Sequence, residues 1–254
     1  MLYEDDSLLA LDKPGRLLTS PDRDDAERPN LMKLLHRDIE HGAAWTVKRR
    51  ITYLANAHRL DFETSGTLLL AKAKSALIQL ADQFGAETPE KNHVALVHGN
   101  PVRDQFQIDA ELAPHPVKPG IVLVDARRGK KSRTDFTVLE RFQGYALLKC
   151  QPGIGRAHQI RVHLKQAGFP VVGDSLYGGW PLNLSSLKPG YRLKPNRTER
   201  PLLDRAALHA EELTVTHPLT LAAVRIVAPW PKDLKVAVKY LRLFARSGNS
   251  SPLP

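Results

Sequence analysis

Cys150 is the only cysteine in the chain, so no internal disulfide can form and no cysteine-rich zinc site can be assembled. No window approaches the roughly 18 consecutive apolar residues that a membrane-spanning helix needs. The opening Met1-Leu2-Tyr3-Glu4-Asp5-Asp6 is acidic where a secretory leader would be basic and then apolar. These absences set the expectation of a cytoplasmic protein. There is no repeat of fixed period, no heptad run, no Gly-rich dinucleotide fingerprint and no P-loop, which removes solenoids, coiled coils and the common nucleotide-binding enzymes. His158 and His163 are spaced i,i+5 and do not stack on one helical face. No acidic or cysteine residue stands at a metal-like distance from them, so no metal is expected.

What is present is an ordinary hydrophobic fraction, 42%, in a chain of 254 residues, long enough to bury a full core. No linker divides it. A single domain over 1–245 is expected, with 246–254 a disordered tail. The formal net charge of +10 points to a polyanionic partner, of which nucleic acid is the commonest. Two stretches concentrate that charge. Residues 125–133 carry Arg127, Arg128, Lys130, Lys131 and Arg133 against Asp125, and residues 188–205 carry six basic residues against Glu199 and Asp204. Both read as surface loops, either simply solvated or in contact with phosphate.

Hydrophobic periodicity predicts a helix over Asn30 to His41, another carrying Leu77, Leu80, Ala81 and Phe84 on one face, and a last one near Leu234–Phe244. Ala157 to Ala167 also reads as a helix, with Ile160, Leu164 and Ala167 inward and His158, Arg161 and Lys165 on the opposite, polar face. Strands are predicted within Leu2–Leu11, at Thr67–Leu70, Lys91–His98, Phe106–Leu112, Thr134–Phe142, Tyr145–Gln151, Leu208–Thr216 and Ala222–Val227. Strands outnumber helices and come in runs rather than in strict alternation. The expected class is α+β, a mixed and mostly antiparallel sheet with flanking helices.

Three segments place polar residues where a strand meets a loop or a helix. Ala57-His58-Arg59-Leu60-Asp61-Phe62-Glu63-Thr64-Ser65-Gly66 gathers an acid, bases and hydroxyls before the apolar Thr67–Leu70 run. An aspartate in such a loop is otherwise a turn or cap residue. Gly153-Ile154-Gly155-Arg156 leads into the helix that carries Arg161, and the free N–H groups of a helix start suit an anion such as phosphate. Pro170-Val171-Val172-Gly173-Asp174-Ser175-Leu176-Tyr177-Gly178-Gly179 reads as a Gly-punctuated turn.

The stretch HRLDFETSGTLLLAK resembles the signature loop of the RluA-type RNA pseudouridine synthases, and GRAHQIRVHLKQAGFPVVGDSLYG resembles the second long motif of that family, about one hundred residues downstream. Tyr3-Glu4-Asp5-Asp6 through Lys13-Pro14, the strand from Lys91 to Gly99, Leu208-His209-Ala210 and His217-Pro218 fit in order. The resemblance thus spans roughly residues 2 to 230. It is to the short form that lacks an N-terminal S4 RNA-binding domain, and it implies the pseudouridine synthase fold with an active-site cleft.

The resemblance implies an isomerase acting on ribosomal or transfer RNA, with Asp61 as nucleophile or charge partner. The N-glycosidic bond of a uridine breaks, the uracil turns over in the pocket, and its C5 rejoins the ribose. Nothing is oxidised or transferred, so neither cofactor nor metal is implied. Arg161 matches the basic residue that pairs with the catalytic carboxylate, and Arg59 the residue that fills the gap left by a flipped uridine. Arg156 falls where phosphate would be held. The sequence departs from the family at Lys91-Asn92-His93, where His93 occupies the position of a tyrosine that packs on the base. It departs also at Lys13-Pro14-Gly15-Arg16-Leu17, a loop variation. A monomer is expected. An RNA-binding or RNA-folding factor with weak or lost catalysis is the competing reading, to which His93 lends a reason.

Overall fold

Asn30 shows how local chemistry starts an element. Its side-chain oxygen accepts from the Lys33 N–H at 2.9 Å and caps the first helix. The computed structural model describes residues 1–247 except 23, 24, 26, 194 and 195. Along the chain the elements are β1 Tyr3–Glu4, β2 Leu8–Lys13, α1 Leu31–Glu40, α2 Ala44–Lys48, β3 Ala55–Asn56, β4 Ser65–Ala71, α3 Lys74–Gly85 and β5 Glu90–His98. There follow β6 Gln105–Pro114, β7 Val122–Val124, β8 Lys130–Phe142, β9 Tyr145–Pro152, α4 Gln159–Gln166, a 3₁₀ turn Ser175–Tyr177, β10 Leu208–Thr216, β11 Ala223–Val227 and α5 Lys232–Phe244. The α+β class is observed. The described chain falls into two compact units, Met1–Lys91 with Ala210–Pro229 and Asn92–His209 with Trp230 onward, the boundaries lying inside β5 and β10.

In the first unit β4 pairs antiparallel with β2 and with β3, and β1 with β2, while β10 pairs with β11. All seven residues of β4 are buried. Their alternation splits the interior in two. Leu68 and Leu70 pack with Leu9, Met32, Leu35, Ile51 and Leu60, while Leu69 and Ala71 pack with Leu8, Ala76, Leu80 and Val215. Helix α3 buries Ala76 and Leu80 with Leu77 and Phe84 partly covered; Ala81, expected inward, is exposed because the stripe is offset by one residue toward Ala76.

In the second unit the strand order is β5-β9-β8-β6-β7, antiparallel where the register is assigned. Helix α4 lies against β6, β7, β8 and β9. Its surroundings overturn one expectation. Gln159 through Leu164 are all buried, with Arg161 5% exposed and His163 not at all. The helix is enclosed on both sides, by Ile160 and Leu164 in the main core and by Val162 against Ala110, Leu112 and Tyr177, so its polar side chains are satisfied by protein rather than by water. Helix α5 adds Leu234, Ala237, Val238 and Leu241 to that core. Beyond it Arg246 bridges to Phe142 and the Ser247 hydroxyl donates to the Arg141 carbonyl at 3.0 Å. The remainder of the predicted tail, 248–254, lies outside the described residues.

Candidate active site

Asp61 sits in a tight turn of the first unit, its carbonyl accepting from the Thr64 N–H at 3.1 Å. The turn is framed from residues 13–19. The Thr19 hydroxyl, 1% exposed, donates to the Leu60 carbonyl at 3.0 Å and accepts from the Leu60 N–H at 3.1 Å, so one side chain holds both polar groups of the residue before Asp61. The Leu17 N–H donates to the Phe62 carbonyl at 3.1 Å, on the other side of Asp61. Fully buried Lys13 directs its ammonium to the carbonyls of Pro14 and Leu17 at 2.8 and 2.7 Å, which holds that frame in place.

His58 closes the back of the turn. Its Nε2 accepts from the Leu69 N–H at 3.0 Å, its ring stacks on Phe84 at 5.0 Å between centroids, and its carbonyl accepts from Asn56 Nδ2 at 3.0 Å. An Nε2 that accepts fixes the neutral tautomer with its proton on Nδ1. Arg59, next along, is exposed. The turn re-enters β4 at Gly66, with φ of +117°, where an added Cβ would lie 2.3 Å from the Ala210 carbonyl oxygen. Any side chain there would push β10 away from the strand that carries the turn.

In the second unit Arg161 makes a bidentate ion pair with Asp174: Nε to Oδ2 at 2.7 Å and Nη2 to Oδ1 at 2.8 Å, both residues buried. The turn read from the sequence between Gly173 and Gly179 is therefore the carrier of a buried carboxylate. Its glycines are required by contact, since a Cβ on Gly179 would stand 1.8 Å from the Val171 carbonyl oxygen and one on Gly173 2.1 Å from that of Arg205. Tyr177 closes the arrangement. The Arg161 guanidinium lies 4.9 Å from the centre of its ring, and its hydroxyl accepts from the Val122 N–H at 2.9 Å and lies 2.7 Å from His158 Nδ1.

Beneath α4 runs a buried chain of hydrogen bonds with one consistent direction. The Ser132 hydroxyl donates to the Ala110 carbonyl at 2.7 Å, which leaves its oxygen to accept from His163 Nε2 at 3.0 Å. His163 Nδ1 then accepts from the Thr134 hydroxyl at 3.0 Å, whose oxygen accepts from Gln159 Nε2 at 3.0 Å. The Gln159 amide also reaches the Arg133 carbonyl at 2.9 Å, and its Oε1 accepts from the Arg156 N–H at 3.0 Å. Every donor finds an acceptor only while the imidazole is neutral.

Of the residues picked out from the sequence, Asp61 and Arg59 share the first-unit turn. Arg156 and Arg161 flank the start of α4, and His93 lies on β5 opposite Cys150 of β9. Arg156 is half-buried, and its Nε has no hydrogen-bond partner. The basic stretches are not plain loops. Lys130–Arg133 open β8, in register with Glu111 opposite Lys131 and Asp109 opposite Arg133, and Arg128 is bonded to Asp125 at 2.9 Å, so much of that charge is answered in place. Arg205, 6% exposed, forks onto Asp233 at 2.7 and 3.0 Å and belongs to the interior. Sequence reasoning missed Thr19, Asp174 and Tyr177. For Asp174 a signal existed, because an arginine on a helix otherwise lined by Ile160, Val162 and Leu164 requires a buried anion.

Two histidines make stability depend on acid. Burial, with the nearby Lys91 charge, lowers His58 from 6.5 to about 4; burial lowers His163 to about 4 against an opposing pull from Asp109. Below 6.5 the unfolded chain takes up protons that these folded sites refuse, so stability is complete above pH 6.5 and lost as pH falls toward 4. For fully buried His163 a depression of that size corresponds to about 3 kcal/mol. We expect urea midpoints to hold from pH 8 to about 6.5 and then decline, and the decline between wild type and His163→Asn to differ by that contribution. Parallel pH curves for the two proteins would remove His163 from the effect.

The family model described as RNA pseudouridylate synthase matches residues 7–166. The chain is 33% identical, over all of its own length and 68% of the relative's, to ribosomal large subunit pseudouridine synthase D of Nitrosomonas europaea. It is 35% identical, over 95% of its length and 70% of the relative's, to ribosomal large subunit pseudouridine synthase C of Escherichia coli. Among solved structures, human RNA Pseudouridylate Synthase Domain Containing 4 superposes with a TM-score of 0.69 at 22% identity, covering 95% of this chain and 92% of that one, which is a likeness of fold.

Proposed function

Because this chain belongs to the RNA pseudouridylate synthase family and is an isomerase of that class, we propose that it converts a specific uridine of structured RNA into pseudouridine, with Asp61 acting on the ribose. The bond from N1 to the ribose breaks and one from C5 to the ribose forms. A proton leaves C5 and one is gained at N1, so atoms balance without a co-reactant. The Asp61 carboxylate attacks the sugar or offsets the positive charge that develops as the base departs. The observation that carries this reading is the clamped turn: Thr19, Leu17 and His58 fix the backbone on both sides of Asp61, the pre-organisation that a reacting carboxylate needs.

Arg161 is the cation assigned to Asp61. Asp174 takes its Nε and one Nη2 hydrogen and holds the guanidinium in a fixed plane. Exposed Arg59 is assigned the gap left by the flipped uridine, His93 the face of the uracil, and Arg156, with its buried Nε, a phosphate. The relatives' names make ribosomal RNA the first substrate to examine. Pseudouridine mapping of total RNA, from cells with and without this protein, is expected to lose at least one modified position when the protein is absent. Identical maps would overturn the reading.

A further inference from the structure

Trp180 is 58% exposed, yet it is held as firmly as a core residue. Its carbonyl accepts two hydrogen bonds, from the Gly173 N–H at 2.9 Å and from His98 Nε2 at 3.0 Å. The same His98 ring, 4% exposed, lies flat against the indole, with centroids 3.6 Å apart and planes at 26°. Behind His98 stands Tyr145 at 5.4 Å. The residue before Trp180 is Gly179, where an added Cβ would stand 1.8 Å from the Val171 carbonyl oxygen. One indole face is thus backed by the buried His98 ring while more than half of the residue is open to solvent.

The segment that follows Trp180 is basic. Two residues on, the Leu182 N–H donates to the Leu203 carbonyl at 3.0 Å and the Leu182 carbonyl accepts from the Leu202 N–H at 2.7 Å, which closes the base of a lobe. That lobe exposes Lys188, Arg192, Arg197 and Arg200, and its Glu199 carboxylate is turned to the Ser185 N–H at 2.8 Å. A fixed aromatic face in a segment that continues into exposed basic residues matches the two demands of a single-stranded nucleic acid, a surface for the base and cations for the backbone. An isolated surface tryptophan needs no such support. We propose that Trp180 is a stacking platform for an unpaired base of the RNA, outside the turn that carries Asp61. This rests on the RNA reading above and adds to it a contact that selects unpaired over duplex RNA.

Binding is measured with two fluorescein-labelled probes, a single-stranded oligouridine and a blunt RNA duplex of matched length. Trp180→Ala should weaken the single strand by about 5- to 100-fold and leave the duplex unchanged. The salt dependence of single-strand binding should keep its slope, because stacking releases no counterions. Trp180→Tyr keeps an aromatic face and should restore most of the affinity. Unchanged single-strand binding by Trp180→Ala, or an equal loss on both probes, would overturn the proposal while leaving the RNA reading standing. Failure of the wild-type protein to bind either probe would overturn both.

Discussion

Asp61→Asn is expected to bring pseudouridine formation below detection, a loss on the order of 10⁴-fold or more, while RNA affinity stays within about threefold of wild type. Asparagine keeps the volume of the side chain and removes its charge and nucleophilicity. The substitution keeps the bonds of the turn that run through the Asp61 carbonyl, the Thr19 hydroxyl and the amides of Leu17 and Leu60. The measurement is release of tritium from 5-tritiated uridine in a transcript, run with a binding titration on the same preparation. Multiple turnover by a verified Asp61→Asn protein would move the chemistry to another residue. Loss of both activity and binding would make Asp61 part of the RNA surface instead.

Asp174→Ala is expected to be the most damaging substitution for the fold. It leaves the Arg161 guanidinium 5% exposed, without the carboxylate that takes its Nε and Nη2. Breaking a buried ion pair from one side costs roughly 3–5 kcal/mol, because the remaining charge stays desolvated. At about 2–4 °C per kcal/mol for a chain of this size, the thermal midpoint should fall by roughly 6–20 °C. The double change Asp174→Leu with Arg161→Met removes both charges and should recover most of that loss. The doubly substituted protein should nevertheless be inactive, since Arg161 is the cation assigned to Asp61. A midpoint within about 2 °C of wild type for Asp174→Ala would mean that water enters and hydrates the guanidinium.

The regular elements were legible because period alone encodes them. Leu208–Thr216 matches its strand at both ends, and Asn30 marks the start of α1 by its capping chemistry. Short pieces such as α2, β3 and β7 carry too few residues for a period to register. The error at α4 has a different source. Arg161 was read onto a wet face with His158 and Lys165 because polarity was equated with exposure, whereas its partner Asp174 lies 13 residues further on. The same cause made 130–133 a loop in the reading, since the three basic residues Lys130, Lys131 and Arg133 mask the alternation of Ser132 and Thr134 facing in and Lys131 and Arg133 facing out. In the candidate site, Asp61 and Arg59 stand in one motif and could be read directly. Thr19 could not, because nothing near residue 19 refers to residue 60.

That last contact bears on how the site is assembled. The Thr19 hydroxyl reaches Leu60 across 41 positions, so the backbone beside Asp61 is completed by tertiary closure rather than by its own loop. The Leu60 amide proton is a built-in gauge of this closure. It exchanges with solvent only when the 13–19 segment lifts off, and its protection reads the free energy of that opening rather than of global unfolding. Excised as a peptide, residues 55–71 would keep every side chain of the motif and lose the clamp that aims it.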